Sequence, residues 1–423
     1  MERTHIPWRW LSSYEVRKVM KAGSWPSIIG IYLFGVCGAA TVSKIIPLTS
    51  DIGNDFGLAV ANFGWLVALI AVPAAIFSLP SGLVVDRLGA KTVLLLAAAL
   101  GCVANIIYYY APSLLVVQIA RLMEGLAIVH IYTAGPAMLM VSTEGTKRTR
   151  AMTLWSTYAP VGTALGLVVG GLFSQSDAWR NTFIVHGILY IAAALLGVLQ
   201  PTLPVAASNA MSTLKDKFAD LGSAFLRPML LMLAAAFFLM VSMGLGANVT
   251  FPNYLASAHH ISVHSASTMV ASTTLAMILG SLGVGVILPR GIRPGILFAC
   301  IAVGGLIAGT LCFLPSVSVE ARYGALIGWF ILTGAALATI MATLPVVADP
   351  ARPGAAAALI NFAGAVATFL NPPLWLGIAA TGQWTPFIGL LAIGWTLAVI
   401  LLWGAILLAM RAKAANAKAQ PET

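Results

Sequence analysis

The chain has 423 residues, 60% hydrophobic and 9% charged, with a mean hydropathy of +0.94 and a formal net charge of +10. A soluble chain carries about a quarter charged residues, so this composition excludes a string of soluble domains. Apolar stretches of about 20 residues recur instead, as an all-α polytopic membrane protein requires, and the alternating segments of about 10 residues that build a membrane barrel are missing.

Twelve spanning helices are expected, in chain order at 25–48, 60–84, 92–111, 113–141, 151–173, 181–199, 229–252, 265–288, 296–314, 322–346, 355–377 and 385–410. The first begins near Trp25, after a basic polar leader, and is long enough to span; no cleavable leader is expected. The fourth is long for a bilayer of about 30 Å and is expected to tilt or protrude. Between the sixth and seventh, "MSTLKDKFADLGSAFLRP" puts Leu214, Phe218, Leu221 and Phe225 on one helical face. That pattern suits an amphipathic surface helix or a solvated linker helix. The expected division is a six-helix half at 1–199, a linker at 200–228, a second six-helix half at 229–410 and a tail at 411–423. Cys37, Cys102, Cys300 and Cys312 lie in apolar runs and read as small packing residues, with no disulfide or metal role.

With both termini in the cytoplasm, nineteen of the twenty-three Lys and Arg fall on the cytoplasmic side. Arg180 and Arg322 fall outside, and Lys44 and Arg121 fall within spans. This asymmetry fixes the expected orientation in a plasma or inner membrane. It also accounts for the positive charge, so no nucleic-acid partner is expected. No Walker A sequence is present, which excludes an ATP-driven motor within this chain. No His-Glu-x-x-His or G-x-S-x-G site lies in a span, which argues against an enzyme. Neither cofactor nor metal is expected.

Between the second and third spans, "GLVVDRLGAK" gathers an Asp, an Arg, glycines and a Lys in one short turn. Glycines permit close backbone approach, and Asp86 near a helix end can pair with cations or cap a neighbouring helix. Such a turn can latch two helices in one conformational state. Here the chain resembles the major facilitator superfamily, whose loop signature is G-x-L-x-D-R-x-G-R-K. Gly82, Asp86, Arg87, Gly89 and Lys91 match it; Val84 and Ala90 depart from it. "GVILPRGIRPG" echoes the motif in the second half, with Gly285 and Arg290 in place and Pro289 where the Asp would be. Arg121 and Gly125 match the family's R-x-x-x-G pattern. "GTALGLVVGG" from Gly162 to Gly171 matches its helix-five pattern except that Leu167 replaces a Pro, which weakens a drug-exporter reading. The glycines alone suit close helix packing. "VSKIIPLTSDIGNDFGL" with "WSTYAPVGTALG" is similar to the cyanate and nitroimidazole transporter-like group, with organic-anion symporters a near neighbour. The resemblance implies two six-helix halves related by a pseudo-two-fold axis, with helices one and four lining a central cavity.

Three ions lie within the expected spans: Lys44, Arg121 and Glu124. A charge in hydrocarbon costs at least about 2.5 kcal/mol, so it faces a cavity or a partner. Arg121 and Glu124, three residues apart, share a helix face and can simply pair, and Lys44 can snorkel. The functional alternative places all three at one site with a net positive charge, which favours a small anion. Arg121 then forks onto a carboxylate, Lys44 adds a point charge, and Tyr132 returns to the Arg121 face. Glu124 is the proton-coupling candidate, because burial favours its neutral form and Arg121 its charged form. His130 points to another helix. The second half offers no buried ion by these limits. It supplies Asn248, Thr250, Asn253, Tyr254, Thr339, Thr343, Asn361 and Asn371, of which Asn248 and Asn361 are the substrate candidates. The expectation is a monomeric secondary transporter that moves a small anion with protons across the bilayer. The alternative is a proton-driven exporter of drug-like molecules, which expects a large aromatic pocket with few fixed positive charges.

Overall fold

The computed structural model describes residues 20–58, 65–174, 178–203, 222, 226–259, 270, 272–314, 316–350, 352–380 and 384–419. These fold into α1 (Trp25–Ser43), α2 (Thr49–Phe56), α3 (Ala71–Leu88), α4 (Ala90–Tyr109), α5 (Leu114–Ser142), α6 (Gly145–Trp155), α7 (Tyr158–Gly171) and α8 (Asn181–Val198). After them come α9 (Pro228–His259), α10 (Met277–Ile287), α11 (Pro294–Phe313), α12 (Val319–Val347), α13 (Pro353–Ala380) and α14 (Trp384–Ala419). Ten helical stretches among the described residues are long and apolar enough to cross a membrane, and α3 and α9 stand where the second and seventh spans were expected. The proposed amphipathic linker helix lies outside the described residues.

Two expectations need correction. The fifth span is not one helix beginning at 151. It starts at Gly145, so Lys147, Arg148 and Arg150 sit on helix α6, and it breaks between Trp155 and Tyr158. The hydroxyls of Ser156 and Thr157 bond back to the carbonyls of Thr153 (2.7 Å) and Leu154 (2.8 Å), occupying acceptors of the final α6 turn. Arg322, placed outside the membrane on sequence, is instead wholly buried at the start of α12. Its guanidinium gathers the carbonyls of Cys312 (2.8 Å), Leu314 and Val317 (3.0 Å) and lies over the Tyr254 ring. It therefore staples the turn that joins α11 to α12. The second half does contain a buried ion, satisfied by backbone.

Helix packing rests on residues without bulk. α7 lies against α1 through Gly162, Gly166 and Gly170. A Cβ at Gly166 would strike the Ala40 carbonyl, and one at Gly170 the Lys44 carbonyl. The helix-five glycines are thus a seam between two backbones. The same device recurs between α3 and α5, where Gly125 admits the Ile70 carbonyl, and between α10 and α12, where Gly334 admits the Met277 carbonyl. That recurrence is what two related halves should show. Between the halves, α13 packs on α3 and α5, and α6 packs on α10 and α12.

Candidate functional site

The motif that ends α3 lies at one of these contacts between halves. Gly82 has no side chain, and a Cβ there would come within 3.1 Å of Gly354 O and 3.0 Å of Ala358 Cβ. One turn on, Asp86 accepts the backbone N–H of Gly354 at 3.0 Å. Gly354 is in the first turn of α13, where N–H groups are unpaired and the helix dipole favours a negative charge. Gly89 adopts φ +80°, a conformation suited to glycine, and turns the chain directly into α4. Lys91 closes the other side, donating to the carbonyls of Val198 (2.9 Å) and Gln200 (2.6 Å) at the C-terminal end of α8. Arg87 is exposed. In the second half Gly285 plays the part of Gly82, since a Cβ there would lie 2.6 Å from Thr153 Oγ1 on α6. Pro289 offers no carboxylate to cap a helix.

Beyond this closed end, the halves enclose a cavity of about 820 Å³. α1, α5, α6 and α7 supply one wall, with Ala39, Val42, Val129, Tyr132, Trp155 and Tyr158. α9, α12 and α13 supply the other, with Phe237, Met240, Thr333, Met341 and Asn361. Tyr158 links the aromatic groups, its ring centroid 4.7 Å from Tyr132 and 4.8 Å from Trp155. No Lys, Arg, Asp or Glu lies among the described lining residues. Asn361 reaches across to α5, donating to the Val129 carbonyl at 3.2 Å. The Thr333 hydroxyl is buried in the wall without a hydrogen-bond partner among the described residues.

The expected ions come together, but behind this wall. Lys44 Nζ lies 2.6 Å from Glu124 Oε1, and Arg121 lies 3.1 Å from Glu124 Oε2. All three side chains are fully buried. Arg121 also donates to the carbonyls of Thr41 (2.8 Å), Val42 (3.0 Å) and Val67 (3.3 Å). The first two belong to the last turn of α1, the negative end of its dipole. Val42 lines the cavity, so the cluster sits directly behind that residue. Tyr132 and Arg121 share a helical face, yet they lie about 16 Å apart along α5. At the Arg121 level the neighbours are the last turn of α1, Val67 ahead of α3, and Tyr108 of α4 through Glu124.

Sequence reasoning missed three members of the cluster. Tyr108 donates to Glu124 Oε2 at 3.0 Å. Asn105 accepts from Lys44, and His186 Nδ1 lies 2.8 Å from Lys44 Nζ. A usable signal was present: Asn105 and Tyr108 are three residues apart near one end of α4, and His186 interrupts the apolar run from Phe183 to Leu189 of α8. His130 bonds only to the Leu126 carbonyl of its own helix among its described contacts. Thr250, Thr339 and Thr343 likewise bond within their own helices, and Asn371 pairs with Ser242. The side chains of Asn248 and Asn253 lie outside the described residues.

Residues 31–372 match the family described as Major Facilitator Superfamily. The fold is similar to the crystal structure of FucP, a transporter of that superfamily in the outward conformation, with a TM-score of 0.74, 13% identity, and coverage of 91% of this chain and 99% of that one. It is similar to the human organic anion transporter MFSD10 (TETRAN), with a TM-score of 0.71, 16% identity, and coverage of 88% and 99%. It is also similar to the proton:xylose symporter XylE bound to 6-bromo-6-deoxy-D-glucose, with a TM-score of 0.70, 14% identity, and coverage of 90% and 95%.

Proposed function

Because the chain belongs to the major facilitator superfamily, and is a multi-pass membrane transporter rather than an enzyme, we propose that it moves a small organic anion by alternating access, with protons as the coupling ion. The observation that carries this reading is the pairing of an uncharged, aromatic-walled cavity with a buried cluster of two cations and one carboxylate behind Val42. The cavity volume falls within the range of about 300–1,000 Å³ common for organic ligands. The wall suits an apolar body, with Tyr132 and Asn361 as its polar contacts. The cluster's surplus positive charge acts through a low-dielectric layer and favours a negative headgroup nearby. A compact, strongly hydrated inorganic anion would lose its water here without gaining a direct cation. The likeness to a human organic anion transporter and to a proton:xylose symporter supports both parts of the reading.

The Asp86 end faces the cytoplasm in this reading, as the distribution of Lys and Arg requires. The structure then stands for the outward-facing state, with Gly82, Asp86, Gly89 and Lys91 as the closed latch. Coupling runs through the cluster centred on Glu124. The transporter works as a monomer in a plasma or inner membrane, with both termini in the cytoplasm.

One observation favours a second reading, export of neutral drug-like molecules: the described cavity wall carries no charged side chain. A matched pair of ligands separates the two. Purified protein is heated with an aromatic carboxylate and with its neutral amide, and the melting temperatures are compared. A larger rise with the carboxylate supports the anion reading. A larger rise with the amide supports export of neutral compounds instead.

A further inference from the structure

The charges around Lys44 do not cancel. Lys44 and Arg121 face one carboxylate, Glu124, and all three are shut off from solvent. The other groups around them offer no formal counter-charge: Asn105 and Tyr108 from α4, His186 and Tyr190 from α8, and the thiols Cys37 and Cys102.

The hydrogen bonds locate the protons. Both Glu124 oxygens face cations, and Oε2 also accepts from Tyr108, so Glu124 is a carboxylate. Arg121 keeps its proton at any accessible pH. His186 Nε2 lies 3.2 Å from the Cys37 carbonyl, which only accepts, so the imidazole hydrogen belongs on Nε2. Nδ1 then accepts from Lys44 Nζ at 2.8 Å, the shorter of its two contacts, while Asn105 Oδ1, 3.3 Å from Nδ1, accepts from the same ammonium. The Asn105 amide donates to the Gly101 carbonyl at 2.7 Å, which turns its oxygen toward Lys44. Nζ therefore meets two acceptors, Asn105 Oδ1 and His186 Nδ1, and forms an ion pair with Glu124 Oε1, as an ammonium does. The Phe183 and Tyr108 rings, centred 4.9 Å and 5.4 Å away, favour the same cationic form.

The cluster thus holds one proton beyond neutrality, beside two nitrogen bases in contact. Shifting that proton from Nζ to Nδ1 breaks one N–H bond, forms another and leaves the total charge unchanged. Releasing it to water leaves the electron pair on nitrogen and the cluster neutral. Moving it to Glu124 instead would neutralise the one carboxylate and leave the buried Arg121 cation with no counter-ion, the costlier arrangement.

We propose that the exchangeable proton of this transporter is held by the Lys44–His186 pair, with Arg121 and Glu124 a permanently ionised pair that positions it. This rests on the proton-coupled reading above and sharpens it. The loaded cluster carries one positive charge and the empty cluster none. An anion in the cavity beyond Val42 therefore favours loading, and the two leave together.

The test needs no substrate. Full-length protein in nanodiscs is titrated between about pH 5 and pH 9. Proton uptake is measured potentiometrically, and carboxyl protonation by infrared difference spectroscopy. Subtracting the Lys44→Met titration removes the surface histidines common to both proteins. The expected result is one proton per chain in that difference, no protonated-carboxyl band that Glu124→Gln removes, and a displaced step in His186→Gln. Lys44→Arg, which cannot release its proton, should fold and show no step, and it serves if the Met variant does not fold. A carboxyl band abolished by Glu124→Gln, or wild-type and position-44 variants that take up the same number of protons, overturns the proposal. An intact step in a protein that ignores an imposed pH gradient would instead reject proton coupling while leaving the proton site in place.

Discussion

Asp86 on α3 and Gly354 on α13 meet across the two halves of the molecule, carboxylate to backbone N–H, at 3.0 Å. A capping side chain is worth about 0.5–2 kcal/mol, and here that energy acts on the contact between halves as well as on one helix. Asp86→Ala should therefore lower the closed-to-open ratio at this end by about tenfold, the factor that 1.4 kcal/mol represents. Distances between spin labels on α3 and α13 will read the change. An unchanged distance distribution would remove the cap from the latch.

The glycine seam gives a paired prediction. Gly166→Ala drives a methyl into the Ala40 carbonyl and the Ser43 hydroxyl, whereas nothing lies within 4 Å of a Cβ at Gly171. The first change should cost about 1–3 kcal/mol, as overpacking does. Gly171→Ala should be near neutral or slightly stabilising. Thermal melts of the two proteins in the same detergent decide the matter, and equal melting temperatures would contradict the seam.

Arg121 and Arg322 are both held by main-chain carbonyls deep in the protein. On sequence alone, Arg121→Ala is expected to lose transport and keep its fold. The geometry shifts the expected effect to folding, because the change takes the cation from Glu124 Oε2, leaving it Lys44 and Tyr108, and frees three buried carbonyls. Breaking a buried pair costs about 3–5 kcal/mol, so the yield of folded protein should fall sharply. Arg322→Lys should also be destabilising, since an ammonium cannot fork across the α11–α12 turn. Size-exclusion profiles of the two variants should show aggregation; a monodisperse peak at wild-type yield would count against this.

Thr333 carries a buried hydroxyl with no described partner, facing the cavity. Thr333→Val keeps the shape and removes the orphan, so the empty protein should gain about 1 kcal/mol of stability. A cargo that bonds the hydroxyl should bind the variant more weakly. Melting curves with and without the aromatic carboxylate measure both effects. Loss of stability in the empty variant would mean that the hydroxyl already has a partner.

Most of the framework is readable from hydropathy, because a spanning helix in lipid needs only length and apolarity. α4, α5 and α8 begin and end within two residues of their expected limits. The break at Ser156 has a signal in Pro160, which lacks the N–H that would bond the Ser156 carbonyl four residues back, but a proline alone does not mark a break, since Pro136 and Pro345 lie inside continuous helices. Arg322 was misplaced for a related reason: a cation near a span end reads as interfacial, and only the fold shows carbonyls turned inward to meet it. The ions at positions 44, 121 and 124 stood out as violations of the lipid rule. Their neutral partners stood out less: His186 is a lone imidazole in an apolar run, and Asn105 and Tyr108 lie near a span end, where polar side chains are common. The level of Arg121 relative to the cavity was beyond periodicity, which fixes the face of a helix and not what stands opposite at each turn.

The seam between α1 and α7 has a consequence for how such a protein diversifies. Its grip depends on glycines and backbone, so the cavity-facing positions of α7, among them Thr163, Ala164 and Leu167, are left out of the joint. Descendants can rewrite those letters one at a time and acquire a new appetite without having to reinvent the hinge that carries it.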